Sequence, residues 1–215
     1  MTQIEIIEII KILKKYYPNS KCSLNFSTPF ELAIAVMLSA QCTDERVNKT
    51  TPLLFSKYRT PIDYSNASIA DIEQIIKPCG FYKVKSKNIK KLATDVITIF
   101  NGELPSTMED LMKLPGIGRK SANVIMLDAY NNPQGIAVDT HVKRISKRIG
   151  LSNEESPDKI ELDLLKIIPK QYLKYVNHIF ILHGRTICKA QKPDCNNCPI
   201  NSFCNYFLDE KKSHC

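Results

Sequence analysis

Only seven of the 215 residues are glycine, and nowhere does the chain alternate apolar and polar residues as a half-buried strand would. Scarce glycine with compact turns predicts an all-α fold. No apolar run approaches the length needed to cross a membrane, so a membrane partner is not expected. A signal peptide is also missing. Met1 to Ile12 carries Glu5 and Glu8 and mixes polar with apolar positions as an amphipathic helix does, which predicts a cytoplasmic or nucleoid-associated protein. There is no low-complexity tract and no repeat of solenoid length. Two nucleotide-binding loops are excluded as well. A Walker A loop needs glycine directly before its lysine, but Arg119 precedes Lys120; a dinucleotide fingerprint needs a strand ahead of its glycines, and none precedes Gly116.

What is present begins with charge. The net charge of +8 favours an anionic partner, and the length suits one large or two small domains. Helix starts recur. Thr2-Gln3-Ile4-Glu5 is a capping-box pattern, and the helix it opens puts Ile6, Ile9, Ile10 and Leu13 on one face. Thr28, Pro29 and Glu31 open a second helix, expected to close another box; it is almost wholly apolar from Leu32 to Ala40 and so predicted to be buried. Thr43 is expected to cap a helix through Val47, with Pro52 restarting helix through Phe55. Ser68 opens a helix carrying Ile69, Ile72, Ile75 and Ile76. The turn Pro78-Cys79-Gly80-Phe81-Tyr82 leads to another with Ile89, Leu92, Ala93, Val96 and Ile97 at helical spacing. Asn131 to Gly135 is a loop and a candidate domain boundary. Beyond it Asp139 is placed as an N-cap and Gly150 as a stop; Ser156-Pro157 opens and Pro169 closes the next helix, and Tyr172 to His183 is expected as the last long one.

Between these halves lies Leu114-Pro115-Gly116-Ile117-Gly118-Arg119-Lys120. Ser106-Thr107-Met108-Glu109 has the capping-box form, so a short helix is expected from about Thr107 to Lys113. Pro115 and Gly116 break it, and after Gly118 the apolar pattern resumes. The unit reads as helix, hairpin, helix. Backbone N–H groups at Gly116 and Gly118 can meet a phosphate there, because a helix start carries unpaired donors and a positive dipole end.

The cysteines divide by placement. Cys22, Cys42, Cys79 and Cys215 are scattered, whereas Cys188, Cys195, Cys198 and Cys204 follow a Cys-x6-Cys-x2-Cys-x5-Cys spacing. Without an export signal such a cluster points to metal rather than disulfides. Four close thiolates suit zinc or an iron–sulfur cluster. Zinc ribbons usually bring two paired knuckles and only one Cys-x2-Cys is present, so the spacing favours iron–sulfur and leaves zinc open. Six basic residues and no acidic one lie between Leu164 and Pro193, adjoining this cluster, which suggests a phosphate-facing surface.

Together the hairpin, Val138-Asp139-Thr140-His141 and the four-cysteine loop resemble the endonuclease III family of helix–hairpin–helix DNA base-excision glycosylases. Leu38-Ser39-Ala40-Gln41, Asn48-Lys49 and His183-Gly184-Arg185 extend the resemblance over nearly the whole chain. It implies two helical domains with DNA in the cleft between them: a six-helix barrel over residues 22–133, and a cluster domain from residues 1–21 and 134–215. It implies a [4Fe–4S] cluster on Cys188, Cys195, Cys198 and Cys204; no redox-partner motif lies nearby, so a structural role is expected. The family's catalytic lysine falls on Lys120 and its catalytic aspartate on Asp139. The implied activity is that of a bifunctional glycosylase and AP lyase acting, as a monomer, on double-stranded DNA with damaged pyrimidines or abasic sites. A helix start and the neighbouring Arg119 both disfavour a charged lysine, as the attacking amine requires.

The resemblance further assigns Gln41 and Phe81 to the gap left by a flipped nucleotide, and Gly116, Gly118, Arg119, His141, Lys189 and Lys192 to DNA contact. Relatives often carry leucine at the position of Phe81 and a small residue such as alanine at Cys42; a phenyl ring can still wedge into a stack. His141 reads equally as a helix-packing histidine, and Asp139 as an N-cap. Alternative readings are a pyrimidine-dimer or mismatch glycosylase of the same superfamily, or a non-catalytic iron–sulfur DNA-binding protein. An adenine-mismatch glycosylase shares the fold and cluster but lacks the lysine.

Overall fold

The computed structural model describes the backbone of residues 1–213 and the side chains of residues 1–209. Those residues form α-helices and short 3-10 turns, with no strand among them. No described helix is long and apolar enough to cross a membrane. The chain divides into two compact units, Cys22–Asn132 and Met1–Lys21 with Pro133–Cys215.

Helix α1 (Gln3–Tyr16) starts on the reciprocal box expected: Glu5 N–H donates to Thr2 Oγ1 at 3.3 Å, and Thr2 N–H to Glu5 Oε2 at 2.6 Å. Helix α2 (Pro29–Ser39) is capped by Thr28, which accepts from Glu31 N–H at 3.1 Å. The expected box does not close on the cap residue, however. Glu31 Oε2 accepts instead from Ser27 N–H at 2.6 Å, one residue further back. Every side chain from Leu32 to Leu38 is buried, while Ala40 is exposed. A helix apolar on all faces needs neighbours on all faces, and α2 packs against α3 (Asp44–Lys57), α6 (Tyr82–Phe100) and α8 (Arg119–Asp128).

Helix α3 corrects the expected break at Pro52. It runs unbroken through the proline, because Val47, Thr50, Thr51 and Leu54 lie buried on both sides of it. Their burial outweighs one missing N–H, a local loss of about 3 kcal/mol. Helix α4 (Pro61–Asn66) was not foreseen, although Thr60 and Asp63 form a complete capping box. Helix α5 (Ile69–Ile76) starts at Ser68 as expected, and a 3-10 turn (Lys77–Cys79) leads towards α6. Helix α7 (Met108–Lys113) is capped one residue later than the sequence suggested: Thr107, not Ser106, accepts from Asp110 N–H at 3.2 Å.

In the other unit, α9 (Thr140–Ile149), α10 (Pro157–Ile167), α11 (Leu173–Thr186) and α12 (Asn205–Ser213) pack around α9, and α1 lays Ile6, Ile9, Ile10 and Leu13 on α11. Gly150 ends α9 with φ 85°, a left-handed stop. The expected last helix runs to Thr186, and α12 after Cys204 was missed.

Candidate active site and metal centre

The hairpin between α7 and α8 is pinned by its apolar residues. Leu114 and Ile117 are buried, and Ile117 N–H donates to Leu114 O at 3.2 Å. Gly116 and Gly118 are exposed on either side of Ile117, and their N–H groups hold no partner among the described residues. The two glycines differ in what the fold asks of them. Gly116 has φ 75°, and a Cβ there would stand 3.0 Å from Met37 Cε and 3.2 Å from Asn88 Nδ2. Gly118 is the N-cap of α8 with ordinary extended backbone, and a Cβ there would meet nothing within 4 Å. Nothing inside the protein demands a glycine at 118. Lys120, in the first turn of α8, is exposed and holds neither hydrogen bond nor ion pair among the described residues. Arg119 beside it is half-buried and engaged.

Gln41 and Phe81 belong to the same unit. Both are exposed, and both adopt left-handed backbone that side-chain-bearing residues rarely take, at φ 54° and 48°. Phe81 leaves 62% of its surface to solvent, an unusual setting for a phenyl ring. Such local strain persists only where the surroundings impose it.

In the second unit Asp139 stands at the head of α9. Its Oδ1 accepts from His141 N–H at 2.9 Å and Val142 N–H at 2.8 Å. The other oxygen holds no hydrogen bond among the described residues, so capping occupies half of the carboxylate. The segment leading to it is fixed by two buried polar residues. Asn177 exchanges hydrogen bonds with Ala137, its Oδ1 accepting from Ala137 N–H at 2.7 Å, and Glu161 accepts from Ile136 N–H at 3.2 Å. Neither was found from sequence, where an interior Asn and Glu carry no motif. His141 is drawn into packing: its Nδ1 takes Arg144 Nη2 at 3.0 Å, where α9 passes α11 at Gly184. Burial first, then the charges of Arg144 and Arg185, hold its pKa below the ordinary value against the pull of Asp139.

The four clustered cysteines all line one chamber, walled by Ile145, Ile149, Ile187, Ile200 and Phe207. None is in a disulfide. Among the described residues no three His, Cys, Asp or Glu side chains converge closely enough for a single ion. Four thiols spread round one apolar chamber fit a [4Fe–4S] cluster. Arg148 supplies charge and shape. Its Nη1 donates to Cys188 Sγ at 3.3 Å and Lys189 O at 2.7 Å, and its Nη2 to Ala190 O at 3.1 Å. The loop so held exposes Lys189 and Lys192, the latter at φ 49°. His183, buried under the same chamber, lies 3.5 Å from Cys198 Sγ and 3.1 Å from Tyr17 Oη. The basic run is less uniform than its composition suggests, since Lys166 pairs with Asp163 at 3.0 Å.

The chain matches two family models, HhH-GPD superfamily base excision DNA repair protein over residues 34–170 and the iron–sulfur binding domain of endonuclease III over residues 188–204. It is 45% identical to endonuclease III of Synechocystis sp. over 92% of this chain and 90% of that one. It is 46% identical to endonuclease III of Bacillus subtilis, over 87% of this chain and 86% of the relative. With Escherichia coli endonuclease III the identity is 39%, over 96% and 97%. A solved non-covalent endonuclease III–DNA complex superposes with TM-score 0.91 at 45% identity, covering 99% of each chain. A trapped endonuclease III–DNA covalent intermediate gives the same TM-score and identity, over 98% of this chain and 99% of that one. A thermostable thymine-DNA glycosylase shares the fold at 21% identity. Matches that span both units, the hairpin and the cysteine loop leave one assignment: the chain belongs to the endonuclease III family of helix–hairpin–helix base excision repair proteins.

Proposed function

We propose that this DNA glycosylase and AP lyase attacks damaged pyrimidine nucleotides and abasic sites in duplex DNA through Lys120, with Asp139 assisting. The observation that carries the reading is the state of Lys120: an exposed amine with no partner among the described residues, at a helix start beside two backbone N–H groups that likewise hold none among them. Those donors and the positive helix end suit a phosphate, which sets the strand against the amine. A base inside duplex DNA is out of reach and must leave the stack, which costs least where the lesion already weakens pairing. Gln41 and Phe81 fill the gap it leaves. Arg119, Lys189 and Lys192 hold phosphates, and His141, with Nδ1 taken by Arg144, has only Nε2 to offer DNA.

The unprotonated amine forms a C–N bond to sugar C1′ as the bond to the base breaks, and the base leaves with a proton. The ring C1′–O4′ bond then breaks as the amine's second proton passes to O4′, giving an open-chain Schiff base that acidifies the C2′ proton; its removal expels the 3′ phosphate by β-elimination, and water then frees Lys120. The unengaged oxygen of Asp139 is suited to accept a proton or to steady positive charge on the sugar. The [4Fe–4S] cluster, when bound, cross-links the cysteine loop; no step needs it. We place the enzyme on nucleoid DNA, as a monomer.

Borohydride reduction tests the reading. The protein should become covalently trapped on DNA holding thymine glycol or an abasic site, and Lys120→Gln should abolish trapping. No trapped species with the wild type, or trapping that survives in Lys120→Gln, overturns the assignment.

A further inference from the structure

Lys85 is a buried cation without an anion. It is 5% exposed, and it pairs with no carboxylate among the described residues. Its Nζ donates to Leu38 O at 2.8 Å, Ala40 O at 2.8 Å and Cys79 O at 2.9 Å, so all three ammonium protons are used. The acceptors are not arbitrary. Leu38 and Ala40 end α2, where carbonyls lack helical partners and the dipole is negative; Cys79 ends the 3-10 turn Lys77–Cys79. One residue beyond the first pair stands Gln41, and two beyond Cys79 stands Phe81. Both are the left-handed, exposed residues described above.

Lys85 also closes the circuit along the chain. Its own N–H donates to Phe81 O at 3.0 Å in the first turn of α6. A cation near a helix start is unfavourable for that helix, and burial presses the ammonium towards neutrality. The cost is offset by joining two helix ends that otherwise share no backbone hydrogen bond.

We propose that Lys85 is a positioning residue for lesion recognition: its ammonium ties the Gln41 loop to the Phe81 turn and holds the two side chains at fixed separation for entry into the emptied stack. This rests on the reading above that Gln41 and Phe81 enter that gap. A free pair of loops would need ordering on every encounter with DNA; a tied pair is ordered beforehand.

The test is a double-mutant cycle with Lys85→Gln, which keeps two donors and drops the charge, and Phe81→Ala. The readout is the ratio of affinities for duplex with a tetrahydrofuran abasic analogue and for undamaged duplex, beside 2-aminopurine fluorescence opposite the analogue. Measurements are made well below each variant's melting temperature, with the visible absorption of the cluster intact. Lys85→Gln should lose about tenfold in the ratio and reduce the 2-aminopurine change, and the double variant should lose little more than Phe81→Ala alone. Losses that multiply, or a ratio unchanged in Lys85→Gln, overturn the inference and leave the wedge reading standing. Wild-type ratios in both Phe81→Ala and Gln41→Ala overturn the wedge reading and this inference with it. Lys85→Arg keeps the charge and should retain part of the ratio. If neither Lys85 variant folds, Lys85 is a core strut and the inference falls.

Discussion

The two hairpin glycines can be separated by substitution, because one is demanded by the fold and the other is not. In Gly116→Ala the new residue must hold φ 75°, which costs an L side chain about 1–2 kcal/mol. Its Cβ would also press on Met37 Cε at 3.0 Å and Asn88 Nδ2 at 3.2 Å, and Met37 is itself buried, so its flexible end has little room to yield. Set against the smaller entropy of the unfolded chain, the net loss is about 1–2 kcal/mol. For a chain of this size that is a fall of about 2–8 °C in melting temperature. Gly118→Ser is the counterpart. A Cβ there meets nothing, and serine is a better N-cap than glycine, so stability should hold or rise by a few tenths of a kcal/mol. If the strand passes over this backbone, the added side chain stands where the phosphate must come. Losing one charge-assisted contact of about 1.5–3 kcal/mol weakens lesion-DNA binding by about ten- to a hundredfold. The assay pairs thermal unfolding with affinity for abasic-analogue duplex at fixed salt. Wild-type affinity in Gly118→Ser would show that no phosphate approaches Gly118 and would break the proposed link between grip and nucleophile.

Asp139→Asn should keep the N-cap, since asparagine caps as well as aspartate, and lower single-turnover excision far more than DNA affinity; Asp139→Ala should in addition cost about 0.5–2 kcal/mol of stability. Equal losses of turnover and affinity in Asp139→Asn would make the residue structural only. Arg148→Met removes the donors that shape the loop before Lys192 and should weaken DNA binding by about tenfold at low salt, measured by titration; unchanged affinity would detach that loop from DNA. The purified protein should be brown, and a colourless, zinc-loaded protein would refute the cluster. Burial, aided by the charges of Arg144 and Arg185 and opposed by Asp139, lowers the pKa of His141 in the folded chain, so the unfolded chain binds more protons as pH drops below 6.5 and stability falls. Melting curves at about pH 8 and about pH 5.5 should show a smaller difference in His141→Gln than in the wild type.

Much of the fold is legible in the sequence, for physical reasons. Helix α1 is legible in sequence because periodicity and burial point the same way, and α6 is legible on its apolar face at Ile89, Leu92, Ala93 and Val96, while Ile97 is only half-buried. The cysteine loop was legible because thiolate ligands leave a spacing. The misreadings occur where local chemistry competes with packing. Pro52 is a breaker on propensity, yet residues buried on both sides carry α3 through it; Ser106 and Thr107 offer equivalent hydroxyls, and the structure uses the second because Asp110, not Glu109, lies in register.

Least visible were the groups that hold the site rather than act in it. Lys85 is one of 30 basic residues, and nothing in its neighbours says that its charge turns inward. Gln41 and Phe81 differ in chemistry and share no motif, so their common left-handed backbone appears only once the two turns are folded against the same ammonium. Chemistry at the reacting atoms constrains residue type, and therefore leaves a signature in sequence. Support constrains only position: any side chain that delivers a proton to three carbonyls will serve, and the carbonyls themselves are the same in every residue. The candidate nucleophile Lys120 stands out in sequence only through its match to a family pattern, whereas the shared left-handed backbone of Gln41 and Phe81 is a property of the folded backbone and is read only from the fold.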